Sequence, residues 1–511
     1  MVSYSVPNEI IAQICSYLCS HCQNPGVFPN SNTIEARIEK VTLARMCRAS
    51  KRLCSIAQPI LFHYYACGNL PRKVHTEFSE HYADWNREQW NLEDDKLAVF
   101  ARTLITRPEL AACVESLQLK SSGVQDVCTP ELMKILGDAG TALGFKLPIG
   151  WRWDGWTGKY PKLWTDEVEP GSFNENRLDF HKWLMAVAIA LTPRTESLMH
   201  MCEYLEDLDW SMGTQRMLPA LKTLALRGAQ RSDYFLFQIH PFLTSAPNLQ
   251  TLYAFDCRGN AISGFLILSF EEDDGDSWTE DLAVSKLRKL VLDEIPTAAF
   301  EKLIERCVDL EDLVYYIHFW IDCPDITRAF SQTGKKLKKL SLGYLPNPVT
   351  TGYESVLDDE DYGTIPLVTS LREFTQLEEL VLDQALLYRK SDSSVDTGRL
   401  ETLLPPSIRR VHFTYVYKSM YEDLMYLASV APGSFPKLRS IKIGLVSPIP
   451  PERMEEIEHM KTVESTFADV GVHVSWEENL MGPFLYTAIP GGAPGLTVTC
   501  VPAAPQPFSL T

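Results

Sequence analysis

The chain has 511 residues, of which 45% are hydrophobic and 22% are charged, a balance that is ordinary for a globular protein. Its formal net charge of −18 would repel backbone phosphates, so we expect no nucleic acid among its partners. A basic run beside Leu337, formed by Lys335, Lys336, Lys338 and Lys339, is interpreted as the solvated edge of a strand.

The composition also argues against membrane and secreted proteins. The longest apolar run, residues 183–191, is much shorter than the about 20 residues that span a bilayer, so we expect no membrane partner. The first residues lack the basic and apolar regions of a secretory signal. The 13 cysteines are scattered and odd in number, which favours reduced thiols in a cytoplasmic or nuclear protein.

Two helices are predicted at the N-terminus. Apolar residues at positions 10, 11, 14, 15 and 18 have helical spacing and follow Pro7, which suits a first helical turn. The turn-rich residues 23–33 end this helix. A second helix is predicted from Ile34 to Ala57, and Pro59 is expected to end it.

From Val114 onward a unit of the form apolar-x-x-apolar-x-apolar recurs along the chain. Copies begin at positions 114, 221, 249, 287, 310, 337, 377, 408 and 438, and a weaker copy begins at Thr195. From position 221 the intervals are 28, 38, 23, 27, 40, 31 and 30 residues, whereas regular leucine-rich repeats run about 20–29 residues. The longer intervals therefore predict loops between strands.

Each unit alone buries little, so stacked units are needed to form a continuous core. Helical patterns lie between the predicted strands at Thr297–Cys307, Tyr421–Val430 and 451–468, and Val472–Trp476 is predicted as a last strand. The fold class is therefore α/β, an irregular leucine-rich-repeat solenoid over residues 114–480. The alternative is a set of short strands in an ordinary α/β domain.

Some segments do not fit the repeat. Residues about 120–190 are interpreted as an insertion with a helix at 178–191, and its tryptophans at 151–164 either bind a partner or pack the insertion. Glycines at 137, 140 and 144 do not have phosphate-loop spacing and predict a loop between helices. Residues 481–511 are rich in Pro and Gly and are predicted to be disordered.

The N-terminal pattern resembles the F-box of fungal F-box proteins. Three features depart from the family: Val6 where Leu is usual, roughly 20 residues between the first two helices, and Phe62 where Trp is usual. The resemblance is carried by Pro7, Glu9, Ile10, Ile14, Leu18, Leu43, Cys47, Ser50, Leu53, Ala57, Pro59, Leu61 and Phe62.

This resemblance implies a substrate receptor of an SCF-type cullin-RING ubiquitin ligase, in which residues 1–65 dock on the Skp adaptor of the cullin complex, 66–113 form a helical linker and the repeats hold an unknown protein substrate. The alternatives are that residues 6–62 only cap the open end of the repeats, and that the chain is a repeat scaffold outside any ligase. The implied adaptor contacts are Pro7, Glu9, Ile10, Ile14, Leu18, Leu43, Leu53, Pro59, Leu61 and Phe62.

Substrate contacts are predicted on the strand face opposite the buried leucines, because side chains alternate along a strand. Aromatic residues there would anchor a partner and charges would give selectivity, unless the face is merely solvated. The candidates are Tyr253, Phe255, Lys289, Asp293, Tyr316, Glu379, Asp383, Arg410 and His412.

The sequence contains no catalytic motif that we recognise, so we expect no enzyme activity. Cys15, Cys19 and Cys22, with His21, have ligand-like spacing, but no second cluster follows them. Buried thiols are therefore favoured over a metal site, and no cofactor is expected.

Overall fold

We analysed a computed structural model of the chain, and the fold is α/β. The chain divides into two compact units, Met1–Ser232 with Thr244–Asn248 and Gly482–Thr511, and Asp233–Leu243 with Leu249–Met481. The predicted tail at 481–511 and the tryptophans at 151–164 lie outside the described residues. The structure describes residues 6–26, 28, 34–66, 96–120, 130–145, 172–202, 218–228, 240–255, 284–293, 297–317, 329–330, 334–344, 368, 370–388, 398–416, 420–445 and 454–478.

The first unit begins with helices. The predicted helix from Ile34 to Ala57 is two helices, because the Ser50 backbone is extended and its hydroxyl accepts a hydrogen bond from the Leu53 N–H at 3.1 Å. Pro59 lies inside the second of them rather than after it. The helices are α1 Asn8–Tyr17, α2 Ser20–Gln23, α3 Ile34–Ala49, α4 Lys51–Leu61, α5 Leu97–Thr106, α6 Pro108–Ala111, α7 Pro130–Ala142 and α8 Ser172–Leu191.

The helix predicted at 178–191 is confirmed as part of α8. Of the three glycines predicted to form a loop, Gly144 does lie in the turn after α7, with φ 86°, but the prediction is wrong for the other two. Gly137 and Gly140 lie inside α7. A Cβ at Gly140 would stand 2.3 Å from Cζ2 of Trp183, so the glycine lets α7 approach the indole of α8 closely. Among the described residues, no helix combines the length and apolarity needed to cross a bilayer.

Four strands of the first unit pair in parallel and in chain order. Leu117, Leu198 and Leu224 are register partners across β2, β3 and β4, and each is fully buried. The weak copy at Thr195 is therefore confirmed as a strand, whereas β1 was not predicted. The strands are β1 Tyr64–Ala66, β2 Ser116–Lys120, β3 Ser197–Cys202 and β4 Thr223–Gly228.

The second unit continues the same plan, with helices between parallel strands that again pair in chain order. The helices predicted near 297, 421 and 451 and the last predicted strand are all confirmed. The strands are β5 Thr251–Phe255, β6 Lys289–Asp293, β7 Asp312–Ile317, β8 Lys339–Tyr344, β9 Glu379–Asp383, β10 Arg410–Val416, β11 Ser440–Leu445 and β12 His473–Glu478; the helices between or beside them are α9 His240–Ser245, α10 Thr297–Arg306, α11 Arg399–Leu403, α12 Tyr421–Ser434 and α13 Met454–Asp469.

The apolar positions of successive units align across the sheet. Leu290, Leu313, Leu340 and Leu380 form one row of register partners, and all four are buried. Helices cover these rows: the ring of Phe300 on α10, for example, stacks on Tyr315 at a centroid distance of 4.4 Å. Each such side chain stabilises the fold by about 1.5–3 kcal/mol through burial, so the aligned rows form the core.

In five successive units, which begin at positions 287, 310, 337, 377 and 408, both residues inside the apolar-x-x-apolar element are charged. We call these ten residues the charge ladder. Its sign alternates from unit to unit across five units, so each charge lies beside opposite charges on its neighbours. Glu311, for example, pairs with Arg288 at 2.9 Å and with Lys338 at 2.9 Å, and these hydrogen bonds lower the pKa of its carboxyl. The members are Arg288 and Lys289, Glu311 and Asp312, Lys338 and Lys339, Glu378 and Glu379, and Arg409 and Arg410.

Each ladder pair is partly exposed and contributes at most about 1 kcal/mol. The order of the charge signs along the chain matters more than the total energy of the ion pairs. Pairing one strand with the next but one would place like charges opposite each other, which is destabilising. The ladder therefore favours the chain order of the strands. Ion pairs also engage most of the basic run: Lys338 and Lys339 belong to the ladder, and Lys336, outside it, pairs with Asp309 at 2.6 Å.

We predict that Glu311→Lys lowers the free energy of unfolding by about 1–2 kcal/mol, because two attractive contacts become repulsive. Urea denaturation at low salt measures the change, and 1 M NaCl should shrink it by screening. Glu305→Lys, an exposed site on α10 outside the ladder, is the matched control. Equal destabilisation by both variants, or no dependence on salt, would contradict the role given to the ladder.

Candidate protein-interaction face

Helix α1 has two adjacent apolar faces. The inner face places Ile11 and Cys15 in a buried cluster. The second face, which we call the outer face, consists of Val6, just before the helix, and Ile10, Ile14 and Tyr17, and these side chains are 50%, 47%, 49% and 66% exposed. Ile10, Ile14 and Tyr17 are spaced i, i+4 and i+7, which puts them on one side of the helix, and Val6 lies just before its first turn. Because these apolar side chains are exposed together, the outer face is the candidate for a protein contact.

Contacts from α4 fix the start of α1. The Arg52 guanidinium donates from Nε to Oδ1 of Asn8 at 2.8 Å, and from Nη2 to the carbonyl oxygen of Val6. The inner face of α1 packs in a buried cluster that we call the N-terminal cluster. Its members, from α1 to β1, are Ile11, Cys15, Cys19, Leu43, Ala57, Ile60, Tyr64 and Ala66. The outer face therefore belongs to a helix whose other side is firmly packed.

The structure distributes the predicted adaptor contacts over three environments. Pro7, Glu9, Ile10 and Ile14 are exposed. Leu18, Leu53 and Leu61 are half-buried against the N-terminal cluster, and Pro59 and Phe62 are half-buried as well. Phe62 stacks on Phe100 of α5 at a centroid distance of 5.9 Å. Leu43 is only 2% exposed, so a partner that leaves the cluster intact cannot reach it, and we assign it a packing role.

Sequence reasoning missed Tyr17, the most exposed member of the outer face, and two further exposed apolar residues on α3. These are Ile38 and Val41, which are three positions apart on one helical side. On α1 the missed signal was the spacing of Tyr17 from Ile10 and Ile14, which puts its side chain on the same side of the helix, one turn further on.

On the strand face, the aromatic candidates differ in access. Tyr253 is 2% exposed, and burial raises the pKa of its hydroxyl, so it packs rather than presents a surface. Tyr316 is half-buried, and its ring lies 3.4 Å from where a Cβ of its register partner Gly343 would stand. Phe255 and Asp293 lie in β5 and β6, but their side chains fall outside the part that the structure describes.

The charged candidates are mostly engaged within the sheet. Lys289, Glu379 and Arg410 belong to the charge ladder; Lys289 lies 3.3 Å from Asp312, and Arg410 pairs with Glu379. Arg410 also remains exposed. Lys289 and Glu379 are therefore largely neutralised within the sheet rather than left to select a partner, whereas Arg410 keeps an accessible guanidinium.

Two charged candidates sit in buried or half-buried polar contacts. Asp383 is buried and accepts a hydrogen bond from the Ala385 N–H at 3.0 Å, so it caps the 3-10 turn Gln384–Leu386. His412 is half-buried with its Nε2 2.8 Å from Oε1 of Glu477, and burial lowers the pKa of its imidazole. Of the predicted strand-face residues with described side chains, Tyr316 and Arg410 are large side chains that a partner could still reach.

The structure also brings together two thiols that are close in sequence and an imidazole that is distant from them. Cys19, Cys22 and His63 place one ligand-type atom each within 4.8 Å of the others. The Cys22 Sγ lies 3.0 Å from Nδ1 of His63. The hydrogen bond with Cys22 lowers the pKa of the Cys19 thiol and raises that of Cys22. Sequence reasoning included both cysteines in a ligand-like pattern but not His63, which follows α4.

The sequence matches no protein-family model, and no relative is found among curated proteins. The F-box and repeat resemblances therefore rest on the residues of this sequence that carry them.

We predict that Leu43→Ala lowers the free energy of unfolding by about 2–5 kcal/mol, because it opens a cavity in the cluster beneath α1. Ile38→Ala, on the same helix but 59% exposed, should cost about 0.5 kcal/mol or less. Denaturant titration of the two variants, followed by circular dichroism, measures the difference. Equal effects would show that α3 does not pack as described.

Proposed function

We propose that the chain is a substrate-recognition subunit of an SCF-type cullin-RING ubiquitin ligase. In this proposal the outer face of α1 docks on the Skp adaptor. The observation that carries it is the double-sided helix: one apolar face is buried in the N-terminal cluster, while the other stays about half exposed and includes Ile10 and Ile14 of the F-box-like pattern. An amphipathic adaptor helix laid against that face would follow ordinary helix-in-groove recognition.

A capping role alone accounts less well for the same residues. A segment that only covered the end of the sheet would bury its apolar side chains against that sheet. The inner face of α1 satisfies this requirement, since it shares a cluster with Tyr64 and Ala66 of β1. The outer face does not, because Ile10, Ile14 and Tyr17 remain accessible.

The repeats would form a leucine-rich-repeat solenoid that holds the protein substrate. The register-matched rows of apolar residues support this interpretation, because the buried leucines of each unit are register partners of those on the neighbouring strands. Tyr316 is the favoured anchor and Arg410 the favoured charged contact. The protein would act by proximity, raising the concentration of substrate near the ligase, rather than by catalysis.

The rival function is a repeat scaffold that binds proteins but never enters a ligase. It uses the same strand face and leaves the outer face of α1 without a dedicated partner. The two functions differ in whether the outer face binds an adaptor, so the adaptor is the informative ligand.

We predict that Ile10→Asp with Ile14→Asp weakens binding of the Skp adaptor by at least about 100-fold. Each isoleucine buried at the interface contributes roughly 1.5–3 kcal/mol, and each carboxylate would have to be desolvated. Isothermal titration of the intact chain with purified adaptor measures the affinity, and circular dichroism checks that the variant folds.

The matched control is Val308→Asp, because Val308 is as exposed as Ile14, at 49%, but lies after α10. It should leave adaptor affinity unchanged. If the intact unaltered chain shows no adaptor binding at micromolar concentration, or if the α1 double variant binds as well as the control, the ligase proposal is wrong and the scaffold is favoured.

We predict that Tyr316→Ser reduces recovery of a bound substrate by about tenfold or more, the effect expected of an aromatic anchor, while adaptor recovery is unchanged. Quantitative mass spectrometry of proteins that copurify with the intact chain measures both. Tyr426→Ser, at an exposed tyrosine on α12, is the control. An unchanged set of partners for Tyr316→Ser would remove the strand face around this residue from the proposal.

A further inference from the structure

Three ligand-type side chains converge at the end of the N-terminal helices. Cys19 is buried, and Cys22 and His63 are half-buried. Their ligating atoms lie within 4.8 Å of one another, and the Cys22 Sγ is 3.0 Å from the His63 Nδ1. Two thiols and an imidazole form a set that binds zinc well, because zinc prefers sulfur and nitrogen ligands.

Local structure positions each of the three groups. Cys19 precedes α2 and Cys22 lies within it, and the Gln23 N–H donates to the Cys19 carbonyl oxygen at 3.0 Å. This turn places the two thiols of the Cys-x-x-Cys pair close to each other. His63 follows α4, and its carbonyl oxygen accepts hydrogen bonds from the N–H groups of Glu115 at 2.8 Å and Ser116 at 3.1 Å.

We propose that Cys19, Cys22 and His63 bind one zinc ion. Bond lengths of about 2.3 Å to sulfur and 2.0–2.1 Å to nitrogen in a tetrahedron require about 3.8 Å between sulfurs and about 3.6 Å between sulfur and nitrogen. The Cys22 to His63 distance of 3.0 Å would thus open by about half an ångström, which a change of side-chain rotamer allows. On binding, each thiol loses its proton to solvent as its sulfur forms a bond to the metal.

His21 lies near these three residues but is not one of the group whose ligating atoms are within 4.8 Å of one another. Its ring centroid lies 6.0 Å from that of His63, and its Nδ1 has no hydrogen-bond partner within the part of the chain that the structure describes. That nitrogen stands 3.6 Å from a carboxylate oxygen of Glu115.

The ion would connect parts of the chain that are distant in sequence. Cys19 and Cys22 follow α1, whereas His63 immediately precedes β1 and is bonded to the start of β2. Metal binding would therefore stabilise the fold of the N-terminal helices against the sheet. None of the three ligands belongs to the outer face, so zinc binding and adaptor docking can be measured separately.

The test uses the full chain, purified without chelators and without a metal-affinity tag. Mass spectrometry of the dissolved metal should give about one zinc ion per chain, and Co²⁺ added to the metal-free chain should produce the near-ultraviolet bands of cobalt–thiolate bonds. Cys22→Ser and His63→Ala should each lose the ion. Cys54→Ser, a half-buried thiol on α4 outside the cluster, should keep it.

Measurements on the unaltered chain decide the question even where a variant fails to fold. Cys19 and Cys22 should resist alkylation until a chelator is added, and the chelator should lower the melting temperature. Sub-stoichiometric zinc together with absent cobalt–thiolate bands would overturn the proposal. So would a Cys19–Cys22 disulfide found by mass spectrometry of the chain as purified, since a disulfide leaves no thiolate to bind the metal.

Discussion

The main-chain register between parallel strands is the constraint on which the other features depend. The carbonyl oxygen of Arg288 accepts from the N–H groups of both Glu311 and Asp312, at 2.9 Å each, and the pattern repeats at Glu311, Lys338 and Glu378. A shift by one residue would move every leucine row to the opposite face. Fixed register therefore aligns the apolar rows and, by the same step, places opposite charges beside each other.

Much of this plan could be predicted from the sequence because each unit combines strand alternation with a helical pattern nearby. The failures have local causes. β1 has only three residues, Tyr64–Ala66, and does not contain the recurring unit, so its place in the sheet comes from pairing with β2. The break at Ser50 depends on one capping hydrogen bond within an otherwise helical pattern. Gly140 resembled a helix breaker, but the close approach of Trp183 favours glycine there.

The candidate sites were harder to predict than the fold because accessibility depends on neighbours that are distant in sequence. Strand alternation correctly placed Tyr253 away from the leucine rows, yet its side chain is buried. Glu379 resembled a selective charge, but Lys339 and Arg410 neutralise it from both sides. The sign alternation of the ladder was already present in the sequence and would have indicated this pairing. The approach of His63 to Cys22 had no such signal, since α3 and α4 lie between them.

Helix α1 connects the outer face with the group formed by Cys19, Cys22 and His63. Arg52 holds the first end of α1 through Asn8 and Val6, and the helix ends at Tyr17, two residues before Cys19. A restraint at Cys19 and Cys22 would hold the second end. With both ends fixed, the outer face is preorganised, and a partner loses less conformational entropy on binding. The exposed isoleucines can then contribute more of their burial energy to affinity than they would on a helix free to fray.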